Sequence, residues 1–83
     1  MGTLVTVKNK HIKNGIRAIT YKCPIALALN DLDKTKTLNY TVTRLRIENQ
    51  LKTFHVPRSV IRFIDKFDKG EKCSEFSFLL RRI

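Results

Sequence analysis

From Pro57 to Gly70 the chain carries one unbroken helical period. Val60, Ile61, Phe63, Ile64 and Phe67 recur at the spacing of a single helix face, with Pro57 as the start signal and Gly70 as the stop. A stripe this apolar has to be covered, and other segments show by what. Phe76, Phe78 and Leu80 alternate with Glu75, Ser77 and Leu79, the period of a strand with one buried face. Thr3 to Lys8 repeats the pattern, with Val5 and Val7 opposite Leu4 and Thr6. Helical stripes and half-buried strands cover one another most economically in two layers. The expected fold is therefore a small α+β domain: a three- to four-stranded, mostly antiparallel sheet with two or three helices packed on one face.

The remaining segments fill in this frame. Asn9 is placed to cap a brief helix through His11, Ile12 and Lys13, and Gly15 to stop it. Ile16 to Lys22 shows no clean period. Pro24 fits the first position of a second helix, because its missing amide would have had no partner there, and Ile25, Ala28, Leu29 and Leu32 follow at helical spacing. Asn30, Asp31 and Asp33 face away from that stripe or end it, and Asp33 to Thr37 reads as a polar connection. From Leu38 the period becomes two, with Leu38, Tyr40 and Val42 on one face and Leu45 and Ile47 of opposite parity. A β-bulge near Thr43 and Arg44 would reset the phase. Glu48, Asn49 and Gln50 then form a turn, and Leu51 to Val56 returns as the second strand of a hairpin. Thr41, Thr43, Arg44 and Arg46 are expected on its open face.

A chain of 83 residues is read as a single domain spanning 1–83. No apolar run approaches eighteen residues and no leader pattern opens the chain, so a cytoplasmic protein with no membrane contact is expected.

The segments CPIALAL (Cys23 to Leu29), VPRSVIRFIDKFDKG (Val56 to Gly70) and EFSFLL (Glu75 to Leu80), with VTVKNKHIKNGIR (Val5 to Arg17) before them, resemble a family of small phage and bacterial proteins. The resemblance spans most of the chain and departs from the family pattern at Glu75, where Pro is usual. It implies a domain of about this size in a phage or mobile-element setting, within a bacterial host, and supplies no activity. Small phage proteins of this kind often inhibit a host enzyme or a defence complex such as CRISPR.

Charge says most about partners. Seventeen Lys and Arg stand against seven Asp and Glu, a formal charge of +10. Such a surplus favours nucleic acid, a ribonucleoprotein or another polyanion. Residues 1–30 hold Lys8, Lys10, Lys13, Arg17 and Lys22 and no carboxylate. On the Pro57 helix, Arg58, Arg62 and Lys66 follow one another at four-residue intervals and form a ridge. Arg44 and Arg46 alternate with Leu45 and Ile47 and are expected to point together from the sheet. These ten residues are the candidate contacts with nucleic acid or an acidic partner. The bland alternative for each cluster is a solvated face that keeps a small protein soluble. With the phenylalanines assigned to the core, only Tyr21 and Tyr40 remain for stacking, so contact with the phosphate backbone is expected rather than base reading.

Other chemistry is sparse. Cys23 precedes the Pro24 helix, where the helix N-terminus can favour a thiolate, but no sequence context brings His11 or His55 to it as a base. A small structural side chain is the ordinary reading of Cys23 and of Cys73. The two Cys and two His contain no close ligand pair, and no metal or cofactor is expected. Gly2, Gly15 and Gly70 are isolated, so there is no phosphate loop, and no paired carboxylates suggest acid–base catalysis.

The expected function is that of a non-enzymatic basic binding protein, monomer or homodimer, that engages nucleic acid or a nucleic-acid-handling host complex and inhibits by occlusion. Two alternatives stand beside it. One is a protein–protein inhibitor or adaptor steered by charge to an acidic partner, with the last strand as its adhesive area. The other is a pocket near Cys23 and Pro24 that sequesters a phosphorylated small ligand.

Overall fold

The computed structural model describes residues 2–17, 19–32 and 39–83. In chain order the elements are β1 (Gly2–Val7), α1 (Asn9–Asn14), α2 (Pro24–Leu32), β2 (Thr41–Val42), β3 (Ile47–Glu48), β4 (Thr53–Phe54), α3 (Arg58–Asp68) and β5 (Phe76–Arg81). The architecture is α+β. β1 and β5 pair antiparallel along their full length, from Gly2 opposite Arg81 to Val7 opposite Phe76. β2, β3 and β4 form an antiparallel meander. An isolated bridge from Phe54 to Arg82 joins the two sheets, supported by the His55 amide donating to the Arg81 carbonyl at 2.9 Å and the Ile83 amide to the Thr53 carbonyl at 3.0 Å. β4 thus lies beside the end of β5.

The period-two pattern decides which face of β1 and β5 is covered. Val5, Val7, Phe78 and Leu80 point into the core, whereas their neighbours Leu4 and Leu79 remain exposed. The helices pack on the inner face. Ile25, Ala28 and Leu29 of α2 and Val60 and Phe63 of α3 are buried with Val42, Ile47 and Phe54 in one cluster. Phe63 stacks on Phe76 with ring centroids 4.9 Å apart. Full burial of one such aliphatic or aromatic side chain contributes about 1.5–3 kcal/mol, so this shared core is the main term holding the layers together. Gly70 ends α3 at φ +79°, a conformation that explains the glycine directly.

Three local expectations need correction. The segment after Leu38, itself outside the described residues, does not form one long bulged strand. Thr43 opens a tight turn instead: its amide donates to the Arg46 carbonyl at 3.0 Å, and its Oγ1 accepts from the Leu45 and Arg46 amides at 3.2 and 3.1 Å. A turn reverses facing parity as readily as a bulge, and the threonine hydroxyl supplies two partners that a bulge would leave wanting. The hairpin is therefore a three-stranded meander. Second, Asn9 is inside α1 rather than its cap. The cap position is Lys8, whose amide donates to His11 Nδ1 at 2.9 Å, while the Asn9 amide donates to Glu75 Oε2 at 2.8 Å. Third, Gly15 does follow α1, but at φ −68°, which any residue adopts. Its reason is contact: a Cβ there would stand 2.6 Å from the Pro24 ring. The polar connection expected from Asp33 to Thr37 lies outside the described residues.

Candidate functional site

The cations expected to form the N-terminal patch are exposed, and several are engaged. Lys8, Lys10 and Lys13 flank or lie on the six-residue α1. Lys10 Nζ is 3.3 Å from Asp31 Oδ2, and the same oxygen is 2.6 Å from His11 Nε2. Because His11 Nδ1 accepts the Lys8 amide, the ring proton resides on Nε2 and is donated to Asp31. Both ring nitrogens are thereby occupied, so His11 is a buried tie between α1 and α2 and not an available base. The His11 hydrogen bond, followed by Lys10, holds the Asp31 carboxyl well below the usual carboxylate range, at about 2, against the opposing effect of desolvation. With Glu75 bonded to the Asn9 amide, α1 sits between two carboxylates. Arg17 lies elsewhere: its guanidinium covers Gly70, about where a Cβ would be 3.1 Å away, and so faces the C-terminal end of α3. Lys22 stands 5.9 Å from the ring centre of Tyr21.

Arg44 and Arg46 do not point together from a strand. Both are in the Thr43 turn, and Arg44 reaches back to α3, where Nη1 is 3.1 Å from Asp65 Oδ1. Leu45 between them is 84% exposed, the opposite of the alternation expected from the sequence. Arg58, Arg62 and Lys66 do share α3. Arg62 and Lys66 line a groove of about 570 Å³ with Lys69 and Lys72, but Asp65, Glu71 and Glu75 line it too. This is a surface of mixed charge.

A purer cationic site is present at the junction of the two sheets. Lys52, His55, Arg81 and Arg82 line a groove of about 830 Å³ together with Gly2, Thr3, Phe54, Leu80 and Ile83. No carboxylate is among the described side chains that line it, and no ion pair among the described residues neutralises Lys52, Arg81 or Arg82. The fold assembles it from three places. β5 ends in Arg81, opposite Gly2 of β1, whose missing side chain leaves room for Arg81 Cγ at 3.3 Å from an ideal Cβ. The bridge to Phe54 brings β4 alongside, and with it Lys52 and His55. The sequence reading missed all four residues. The only local hint is the arginine doublet itself; Lys52 lies twenty-nine positions before Arg81, a separation that only strand pairing closes.

Thiol and small-ligand chemistry find little support in the geometry. A cavity of about 300 Å³ opens beside Cys23 and Pro24, lined chiefly by Ile19, Ile25, Val42, Phe63, Ile64 and Phe67. Arg44 is the cation among the described residues that line it, and it is bonded to Asp65, so the expected gathering of bases around a phosphate is not seen there. Burial pushes the Cys23 thiol up, and the amides of Ala26 and Ile25 do not offset this. Burial likewise raises Cys73, against the pull of Lys66. Among the described residues no group of three His, Cys, Asp or Glu is placed to hold a metal ion, and no helix is long and apolar enough to cross a membrane. The chain matches no protein-family model, no curated protein and no solved structure.

Proposed function

We propose that this chain is a non-enzymatic polyanion-binding protein whose principal contact is the groove of Lys52, His55, Arg81 and Arg82. The observation that carries this reading is the contrast in neutralisation. Lys10 and Arg44 have carboxylate partners, whereas the groove gathers three full charges with no acidic side chain among its described lining. Guanidinium and ammonium groups of this kind donate charge-assisted hydrogen bonds to phosphate. The partner is the backbone of DNA or RNA, free or within a host nucleoprotein. In the phage setting that the sequence resemblance implies, occupying that backbone would occlude a defence complex such as CRISPR. The exposed cations Lys8, Lys13, Arg17, Lys22, Arg46, Arg58, Arg62 and Lys66 add long-range attraction to this contact.

The test is a mobility or anisotropy titration with generic DNA and RNA across a salt series. Binding with a log–log salt slope of about −3 to −6 is expected, at about 0.7 to 0.9 per phosphate neutralised. Absence of binding at low salt would retire the reading.

One observation favours a second reading, a protein inhibitor directed at an acidic surface. Leu4 and Leu79 face each other across β1 and β5 on the uncovered side of the sheet, 62% and 44% exposed, and a shallow trough joins them to His55 and Arg81. An apolar pair beside cations suits a partner that presents carboxylates around an apolar anchor. Pull-down from host lysate that yields one discrete protein, unchanged by nuclease, would select this reading over the first.

A further inference from the structure

The two turns of the meander are the same device built twice. In Thr43-Arg44-Leu45-Arg46 the Thr43 amide donates to the Arg46 carbonyl at 3.0 Å, and Thr43 Oγ1 accepts from the Leu45 and Arg46 amides. In Asn49-Gln50-Leu51-Lys52 the Asn49 amide donates to the Lys52 carbonyl at 3.0 Å, and Asn49 Oδ1 accepts from the Leu51 and Lys52 amides at 2.8 Å each. Each turn closes with a base, and each holds a leucine at its third position. These leucines are 84% and 75% exposed, in a chain whose Leu29 and Leu80 are buried. Gly, Asn, Asp and Ser are the ordinary occupants of such turns, so a leucine at each tip is not explained by turn chemistry. Nor does core packing explain it.

We propose that Leu45 and Leu51 are wedges that insert between stacked bases while the neighbouring Arg46 and Lys52 grip the flanking phosphates. This rests on the nucleic-acid reading above and adds to it a mode of binding, distortion of the duplex. Apolar side chains flanked by cations are what base-step insertion requires: the apolar group replaces part of the lost stacking, and the cations hold the backbone on either side. The side-chain hydrogen bonds fix both turns before binding, so little ordering is needed on contact. The Arg44–Asp65 pair further ties the first turn to α3. The two tips stand at opposite ends of β3, at most about 20 Å apart at the rise of an extended chain. Glu48 lies between them. Base steps of one duplex, about 3.4 Å apart along its axis, lie within that span.

The experiment uses duplexes with 2-aminopurine at flexible pyrimidine–purine steps, read by fluorescence at saturating protein, with anisotropy on the same samples to measure binding. The wild-type chain is expected to raise the fluorescence about threefold by unstacking the probe. L45A/L51A should bind within about threefold of wild type, since its cations are intact, yet lose most of the fluorescence rise. L45F/L51F should retain it. Both leucines are exposed, so thermal unfolding of the variants should match wild type and exclude a folding artefact. Saturable binding with no fluorescence change, or a rise that L45A/L51A preserves, overturns the wedge and leaves polyanion binding standing. No binding at low salt overturns both. Capture on anionic phospholipid vesicles that depends on the two leucines, without any effect on the probe, would overturn the wedge and give the turns to a lipid surface.

Discussion

Lys10 and Arg81 carry the same formal charge on the same small molecule, and the fold uses them differently. Lys10 lies beside Asp31, which also receives His11, and the neighbouring Asn9 amide is held by Glu75. Arg81 lies among Lys52, His55 and Arg82 in a groove with no acidic side chain among its described lining. The α1 end is tied together by its charges, and Lys52, Arg81 and Arg82 at the sheet end have no ion pair among the described residues. A count of bases in a window therefore says little about binding. What decides it is whether tertiary structure brings a carboxylate within a few ångströms, because the Coulomb interaction falls off with distance and water screens what remains.

The comparison would be tested most strongly by removing the sheet-end charges. K52Q/R81Q/R82Q should lower affinity for generic DNA or RNA roughly a hundredfold near 50 mM salt and flatten the salt slope by about two. Its unfolding free energy should remain within about 0.5 kcal/mol of wild type, since the three groups are exposed. A variant that binds as before would show that the groove is not the contact. On the α1 side the largest effects should be on stability. Gly15→Ala pushes a Cβ to 2.6 Å from the Pro24 ring, and the shift needed between α1 and α2 should cost about 1–3 kcal/mol in denaturant unfolding. His11→Ala leaves the Lys8 amide and Asp31 without their shared partner and should cost about 1–3 kcal/mol, with affinity for the polyanion unchanged in the folded protein.

Asp31 sharpens the comparison through pH. Its carboxyl titrates near 2 in the folded chain against 3.8 for the ordinary group, so the folded state favours the charged form. The stability it adds is complete above the unfolded value of 3.8 and is lost as pH falls from there toward about 2. The side chain is 42% exposed, and screening makes the effect modest. The difference in unfolding free energy between wild type and Asp31→Asn should shrink across that acid window; a difference that grows there would refute the assignment. Smallest of all, Lys10→Gln should change stability by no more than about 0.5 kcal/mol, because its pairing with Asp31 is at the surface. It should also weaken polyanion binding far less than any one of the three groove substitutions, as measured in the same titration.

Much of the fold was legible before the structure. α3 was readable because Val60 and Phe63 obey a clean helical period between Pro57 and Gly70, and β5 because Phe78 and Leu80 alternate with exposed neighbours, and the burial of all four follows. β1 and α2 were readable for the same reason. The Thr43 turn was not, because a reversal of parity is common to bulges and turns, and only the three hydrogen bonds to Thr43 and Arg46 distinguish them. Of the candidate site, the α3 ridge of Arg62 and Lys66 was placed correctly on one helix, but its carboxylate neighbours Glu71 and Glu75 come from the following segment. The groove of Lys52, Arg81 and Arg82 was not seen at all.

The division follows from the range of the forces involved. Periodicity, capping residues and helix breakers act over a few positions, so the sequence by itself determined where α2, α3, β1 and β5 form and which of their faces are apolar. Strand register and helix packing act across the whole chain. They alone brought Lys52 to Arg81, His11 to Asp31 and Pro24 onto Gly15, and so decided which of the described basic residues are ion-paired within the molecule.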